Sequence, residues 1–166
     1  MIDVSTPSTP TLAKEIYFGE YMSNLQIDDT NLYALDYINS ILYQYDISDS
    51  SSPSVTRSIP ISLTDGGTQY GFAANGDYGF LSSDSYTALL KLTDSALNYY
   101  GYTHHTDSGV YAIETGYGSD NSLYAFTAAG SDGLAIYNID DPSAISLNYT
   151  SGADTSDTSN FWDVAV

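Results

Sequence analysis

Apolar positions in this chain recur with a period of two, and the stretch from Asn31 to Ile59 shows the pattern most clearly. Asn31 to Leu35 reads as one strand, Asp36 to Ser40 as a turn and Ile41 to Ile47 as a second strand. A Ser-rich loop closed by Pro53 leads to a short strand, Ser54 to Ile59. Leu32 and Ala34 fall on one side and Tyr33 and Leu35 on the other. In the next strand Leu42, Gln44 and Asp46 oppose Tyr43, Tyr45 and Ile47. Apolar residues on both faces predict a sheet packed between two neighbouring sheets, as in a stack of blades.

The unit recurs at roughly 43 to 46 residues, in the range of propeller-blade repeats. Leu32-Tyr33-Ala34 aligns with Tyr78-Gly79-Phe80 and with Leu123-Tyr124-Ala125. The second strand returns as Leu89 to Leu92 and as Leu134 to Ile139. Asp3 to Ile16 aligns without a gap on Asp46 to Ile59, with Pro10 on Pro53, and Pro142 falls where Pro7 does. This register makes Thr11 to Ile16 a strand rather than a helical turn. Asn75-Gly76-Asp77 is a hairpin signal, since Asn-Gly accepts the positive φ of a type I′ turn. Gly116 to Asn121 reads as a longer hairpin. Phe161 to Val166 matches the strand that opens each unit, as in Asn24 to Ile27 and Tyr70 to Ala73.

The expected architecture is therefore all-β and single-domain: a β-propeller-like repeat of antiparallel four-stranded blades, with three nearly complete units and a split fourth. Residues 1–16 are the tail of the split blade, 17–60, 61–106 and 107–150 the three units, and 151–166 the start of the split blade. About 17 residues separate these two ends from a whole unit. A propeller needs about four blades to close. Three explanations compete: a fragment of a longer gene product, a ring with a defective blade, or a partial ring completed by another copy. Open strand edges are sticky, so homo-oligomerisation through them is expected.

Composition narrows the class. Seventeen tyrosines favour strands. Only Lys14, Arg57 and Lys91 oppose 21 acidic residues, for a formal charge of −18. Such a surface repels phosphate backbones, which argues against a nucleic-acid partner. Without cysteine, stability rests on packing. No run approaches the ~20 apolar residues of a membrane-spanning helix, so no membrane insertion is expected. Met1 to Pro10 lacks the basic region and apolar core of a signal peptide. That leaves a cytosolic protein or a chain from which a targeting segment has been left off.

The strand ending Asp132-Gly133-Leu134-Ala135-Ile136-Tyr137-Asn138-Ile139-Asp140-Asp141-Pro142-Ser143, with Asp46 to Pro53 and Asp3 to Pro10, resembles the LVIVD-type repeat of bacterial and archaeal surface proteins. The resemblance implies four-stranded blades around an axis on a secreted or surface-anchored protein. It implies no catalytic residues.

Candidate chemistry is sparse. Adjacent strand residues such as His104-His105 point to opposite faces and do not share a metal easily. Asp28-Asp29, Asp120-Asn121 and Asn138 with Asp140-Asp141 offer oxygen ligands, but none matches an EF-hand loop. Asp at such places closes turns through its own backbone. A weak Ca²⁺ site is the alternative, and no cofactor is otherwise expected. There is no G-x-S-x-G elbow. Tyr33, Tyr43, Tyr45, Tyr124 and Tyr137 recur in register, which favours packing between blades over stacking on sugars. The functional expectation is a non-catalytic binding or scaffold module for a protein or glycan partner. The alternative is a carbohydrate-active or other hydrolytic propeller using an axial carboxylate cluster, which would need two converging carboxylates.

Overall fold

The computed structural model describes residues 1–3, 5–17, 21–61, 69–83, 86–93, 99–104, 109–130, 133–141, 144–150 and 163–165. The described residues form strands and connecting turns, with no helix among them. A two-stranded sheet comes first, β1 (Ile2–Asp3) with β2 (Thr11–Leu12). Three four-stranded sheets follow. The first is β3 (Met22–Asp28), β4 (Asn31–Asp36), β5 (Ile41–Asp46) and β6 (Ser54–Pro60). The second is β7 (Gln69–Asn75), β8 (Tyr78–Ser83), β9 (Tyr86–Lys91) and β10 (Tyr99–His104). The third is β11 (Ala112–Tyr117), β12 (Leu123–Ala128), β13 (Leu134–Asn138) and β14 (Ser146–Thr150). In each the strands pair antiparallel in chain order.

The strict alternation of side chains distributes two cores over the two faces of the second sheet. Phe72, Ala74, Leu81 and Leu90 pack on Tyr33, Leu35, Leu42 and Ile59 of the first sheet. Ala73, Phe80 and Leu89 point the other way, onto Ile113, Ala125, Ala135 and Tyr137 of the third. The opening strands make the closest approach between sheets, β3 to β7 and β7 to β11. Both faces of the second sheet are thus covered. The first and third sheets each have one face that no four-stranded sheet among the described residues covers.

Pairing registers carry the repeat into space. In β1 and β2, Asp3 stands opposite Thr11 and Ile2 opposite Leu12. In β5 and β6, Asp46 stands opposite Ser54 and Tyr45 opposite Val55, the positions that the gapless alignment assigns. In the third sheet Asn138 stands opposite Ser146. Each of these strands ends in the same turn: the backbone N–H groups of Ser5, Ser48 and Asp140 donate to the side chains of Asp3, Asp46 and Asn138, at 2.9, 2.8 and 3.1 Å. The first and third sheets also share a bulge one step back, between Gln44 and Tyr45 and between Ile136 and Tyr137. The β1–β2 pair thus shares the register and the closing turn of the outer two strands of the first sheet.

Several local details differ from the sequence reading; of the strand expected over Thr11 to Ile16, only Thr11–Leu12 forms, because β1 offers just two partner residues. Asn75 is paired with Tyr78 and closes β7, so Gly76 and Asp77 are the central turn residues. Only Gly76 has a positive φ, 58°, the pattern of a type II′ turn rather than I′. In the second unit the residue at the place of Leu32 is Gly79, not Tyr78. Leu32 pairs with Tyr45 and Gly79 with Leu90, and a shift of one residue exchanges the faces; in the third unit Ala125, which pairs with Tyr137, stands at that place rather than Leu123, a shift of two that keeps the face. Finally, Asp163–Ala165 are not in a strand. No described strand pairs with them, and a strand exists only where a neighbour accepts its ladder of hydrogen bonds. Asp94 to Ala96, Ser151 to Asn160 and His105 lie outside the described residues.

Candidate functional site

Two concave surfaces flank the first sheet, one on each face. On the face turned away from the second sheet, β3 presents Leu25 and Ile27, which remain 55% and 61% exposed. Met1, Leu12 and Ile16 approach them from the N-terminal hairpin, with Leu32 and Ile47 at the floor, around a cleft of about 410 Å³. The hairpin is held at its base where the Met1 ammonium donates to the Lys14 carbonyl at 2.6 Å. An apolar surface left in water at the edge of a repeat is the kind that marks association.

The second concavity lies between the turn ends of the first and second sheets. It holds about 520 Å³ and is lined by Asn31, Tyr33, Gln44, Asp46, Arg57 and Asp77 among others. Gln44 and Arg57 stand opposite each other on β5 and β6, so their side chains emerge side by side. The Arg57 guanidinium donates to the Leu92 carbonyl of the second sheet, and Asp28 Oδ2 accepts from Gly76 N at 2.8 Å, so the two sheets are joined on either side of the opening. Gln44 Nε2 donates to Asn31 Oδ1 at 2.9 Å. Gln44 Oε1 is buried and has no partner. With Asn24 Oδ1, it is one of two such side-chain atoms among the described residues. Burial pushes the Tyr33 hydroxyl above its ordinary pKa, the Asp28 charge adds to this and Arg57 opposes it. It is therefore a proton donor at any ordinary pH.

Of the acidic groups singled out in the sequence, Asp120 closes its own turn, whereas the carboxylates of Asp28 and Asp140 reach backbone N–H groups remote in sequence, on Gly76 and Leu123. Asp29 takes a φ of 53° between β3 and β4, and Asn121 one of 63° in the loop after β11. Asp120 accepts from the Tyr124 hydroxyl at 2.8 Å and from Ser122 N at 3.1 Å, which holds its carboxyl below the usual range. Asp140 accepts from Leu123 N at 2.7 Å and is lowered for that reason first. Carboxyls lowered in this way are poor general acids, which need a raised pKa. No group of three or more His, Cys, Asp or Glu side chains arranged for a metal occurs among the described residues. His104 closes β10. Of the recurring tyrosines, Tyr33, Tyr45 and Tyr137 are buried and Tyr43 and Tyr124 half-buried. Tyr33 meets the Phe72 ring at 5.3 Å across the sheet interface.

Neither concavity was singled out by sequence reasoning. The partial signal was Gln44, which with Asp46 puts polar groups on the face that carries Leu42 and meets Tyr33 and Leu35.

No protein-family model matches the chain, and no curated protein sequence does. Among solved structures, apo AztD from Citrobacter koseri is similar, with a TM-score of 0.55 at 11% identity over 83% of this chain and 50% of that one. At that identity the likeness speaks to the fold alone, and this chain spans about half the length of that structure. No helix among the described residues is long and apolar enough to cross a membrane.

Proposed function

We propose that this chain is a non-catalytic binding or scaffold module, a propeller-like repeat of the LVIVD type on a secreted or cell-surface protein, and that it works by association through its open sides. The observation that carries the reading is the exposed apolar stripe of Leu25 and Ile27 beside the half-sheet of β1 and β2. The second sheet supports it by contrast: its corresponding residues, Phe72 and Ala74 on one face and Ala73 on the other, are buried because a sheet lies on each side. A second copy of the chain supplies surface of the same chemistry. Phe126 and Ile136 on the free side of the third sheet are only half-buried, and Tyr149 beside them is exposed. The strongly acidic surface elsewhere keeps such a module soluble and turns it away from nucleic acid.

Light scattering across a dilution series tests this. The expected result is a mass near twice 17.9 kDa that falls to the single-chain value in the variant Ile27→Asp. A wild-type chain that stays monomeric and folded at every concentration would sink the reading.

A further inference from the structure

We infer that two copies of this chain join head to tail, the open side of the first sheet of each against the open side of the third sheet of the other, into one closed ring of sheets. This rests on the reading that the chain associates through its open sides, and it names the surface that each side takes.

Both contacts between four-stranded sheets within the chain follow one rule. The second sheet packs Phe72, Ala74, Leu81 and Leu90 on the sheet before it and offers Ala73, Phe80 and Leu89 to the sheet after it. The third packs Ile113, Ala125 and Tyr137 backward in the same sense, and the first offers Tyr33, Leu35 and Leu42 forward. Strand alternation then fixes which faces are left over. Leu25 and Ile27 of β3 pair with Ala34 and Leu32, which alternate with Tyr33 and Leu35, so the open side of the first sheet is its backward face. Glu114, Phe126, Ile136 and Tyr149 pair in one row across the third sheet, alternating with Ile113 and Ala125, so its open side is a forward face. One copy thus ends in the two unlike halves of a contact it makes twice inside itself. A forward face on the backward face of another copy continues the stack. Two first-sheet sides set together would join backward to backward, which no two four-stranded sheets among the described residues do.

The chemistry of the two sides is complementary. Leu25 and Ile27 are exposed with Leu12 of the hairpin, and Lys14, one of only three basic residues, stands there beside Glu15. On the third sheet Tyr149 is exposed and Glu114 half-buried, with the charge of Asp163 near it. An apolar stripe with a cation therefore meets an apolar stripe with carboxylates, in a chain whose formal charge of −18 otherwise drives copies apart. Closure sets the number of copies. A head-to-tail contact makes a ring where its rotation closes and a filament where it does not. Propellers hold about four to eight blades. One copy brings three four-stranded sheets, too few; two copies bring twice that, within the range, and a third copy would exceed it.

Light scattering on Ile27→Asp, Tyr149→Asp and an equimolar mixture of the two tests this. Both side chains are exposed, so circular dichroism should match the wild type. Each variant alone is damaged at both joints and should have the single-chain mass. In the mixture the intact third-sheet side of one variant meets the intact first-sheet side of the other, and a mass near twice 17.9 kDa should return. Leu147→Asp, exposed on the opposite face of β14, should stay dimeric. Should Tyr149→Asp fold poorly, Glu114→Lys sets a cation against Lys14 of the other copy and should weaken the pair by about tenfold. A Tyr149→Asp chain that stays dimeric while Ile27→Asp does not would overturn the head-to-tail joint and leave association through the first sheet standing. A mixture that stays at the single-chain mass, or a wild-type mass that climbs past two chains with concentration, overturns the ring. A wild type that is monomeric throughout removes association itself, and the ring with it.

Discussion

Gly79 shows how much a single position can depend on a neighbour from another strand. It sits in β8 beneath the Phe72 ring, and an added Cβ would lie 2.7 and 2.8 Å from two atoms of that ring and 2.9 Å from Leu92 Cδ2. The Phe72 ring is in turn held against Tyr33. Gly79→Ala is therefore expected to overpack the interface and destabilise the fold by about 1–3 kcal/mol, as read from urea unfolding; an unchanged midpoint would show that Phe72 has room to move. Glu114 is a second case. Burial on the free side of the third sheet pushes its pKa up, and the neighbouring Asp163 charge adds to this. A carboxyl whose folded pKa lies above its unfolded value contributes stability that is fully present below the unfolded value and is lost as pH rises through the folded one. Glu114→Gln should accordingly melt above the wild type at neutral pH and lose that advantage below about pH 4, which thermal melts at the two pH values would check. The turn-closing roles of Asp120 and Asn138 were legible in the sequence because the bond spans two residues; those of Asp3 and Asp46 came with the structure. The fit of Gly79 was not, since the strand register brings Phe72 to it.

At the scale of elements, period-two alternation was enough to read β4, β5 and β6, whereas of the strand that the gapless copy of Asp46 to Ile59 placed over Thr11 to Ile16 only Thr11–Leu12 forms. The bulges at Gln44/Tyr45 and Ile136/Tyr137 were not legible. An extra residue in one strand leaves no mark in composition and appears only when two strands are set side by side. The same holds for the turn at Gly76, where Asn-Gly is present but the ladder has advanced by one residue. Burial differs sharply among the strands. β8 is buried at five of its six residues and β14 is exposed throughout. Hydrogen exchange should follow this order: amides of β8 and β4 slowest, those of β14 and of β1 and β2 fastest. Slow exchange in β1 and β2 at low protein concentration would mean that the hairpin is covered within a single chain.

For the whole molecule, the dominant long-range force is repulsion among its own charges. A formal charge of −18 with three basic residues favours expansion over the compact state. Salt screens this, with the Debye length falling from ~30 Å at 0.01 M to ~3 Å at 1 M. The melting temperature should therefore rise over that range of sodium chloride, in scanning calorimetry, and the rise should shrink at low pH where the carboxylates are protonated. A melting temperature that falls with salt would show instead that the few cationic contacts, such as Arg57 at the sheet interface, outweigh the repulsion.

The sequence by itself determined that the chain is all-β, that its strands come in recurring groups, and that turns such as those at Asp120 and Asn138 close on their own backbone. Each of these is local: strand alternation, repeat spacing and Asx turns are set by residues a few positions apart. Only the tertiary structure decided which face of each sheet meets a neighbour, that Gly79 rather than Tyr78 stands where Leu32 does, and that Gln44 Oε1 is sealed beside a cleft. Those outcomes depend on register, and one residue of slip between strands exchanges the two faces of a sheet without altering a local preference.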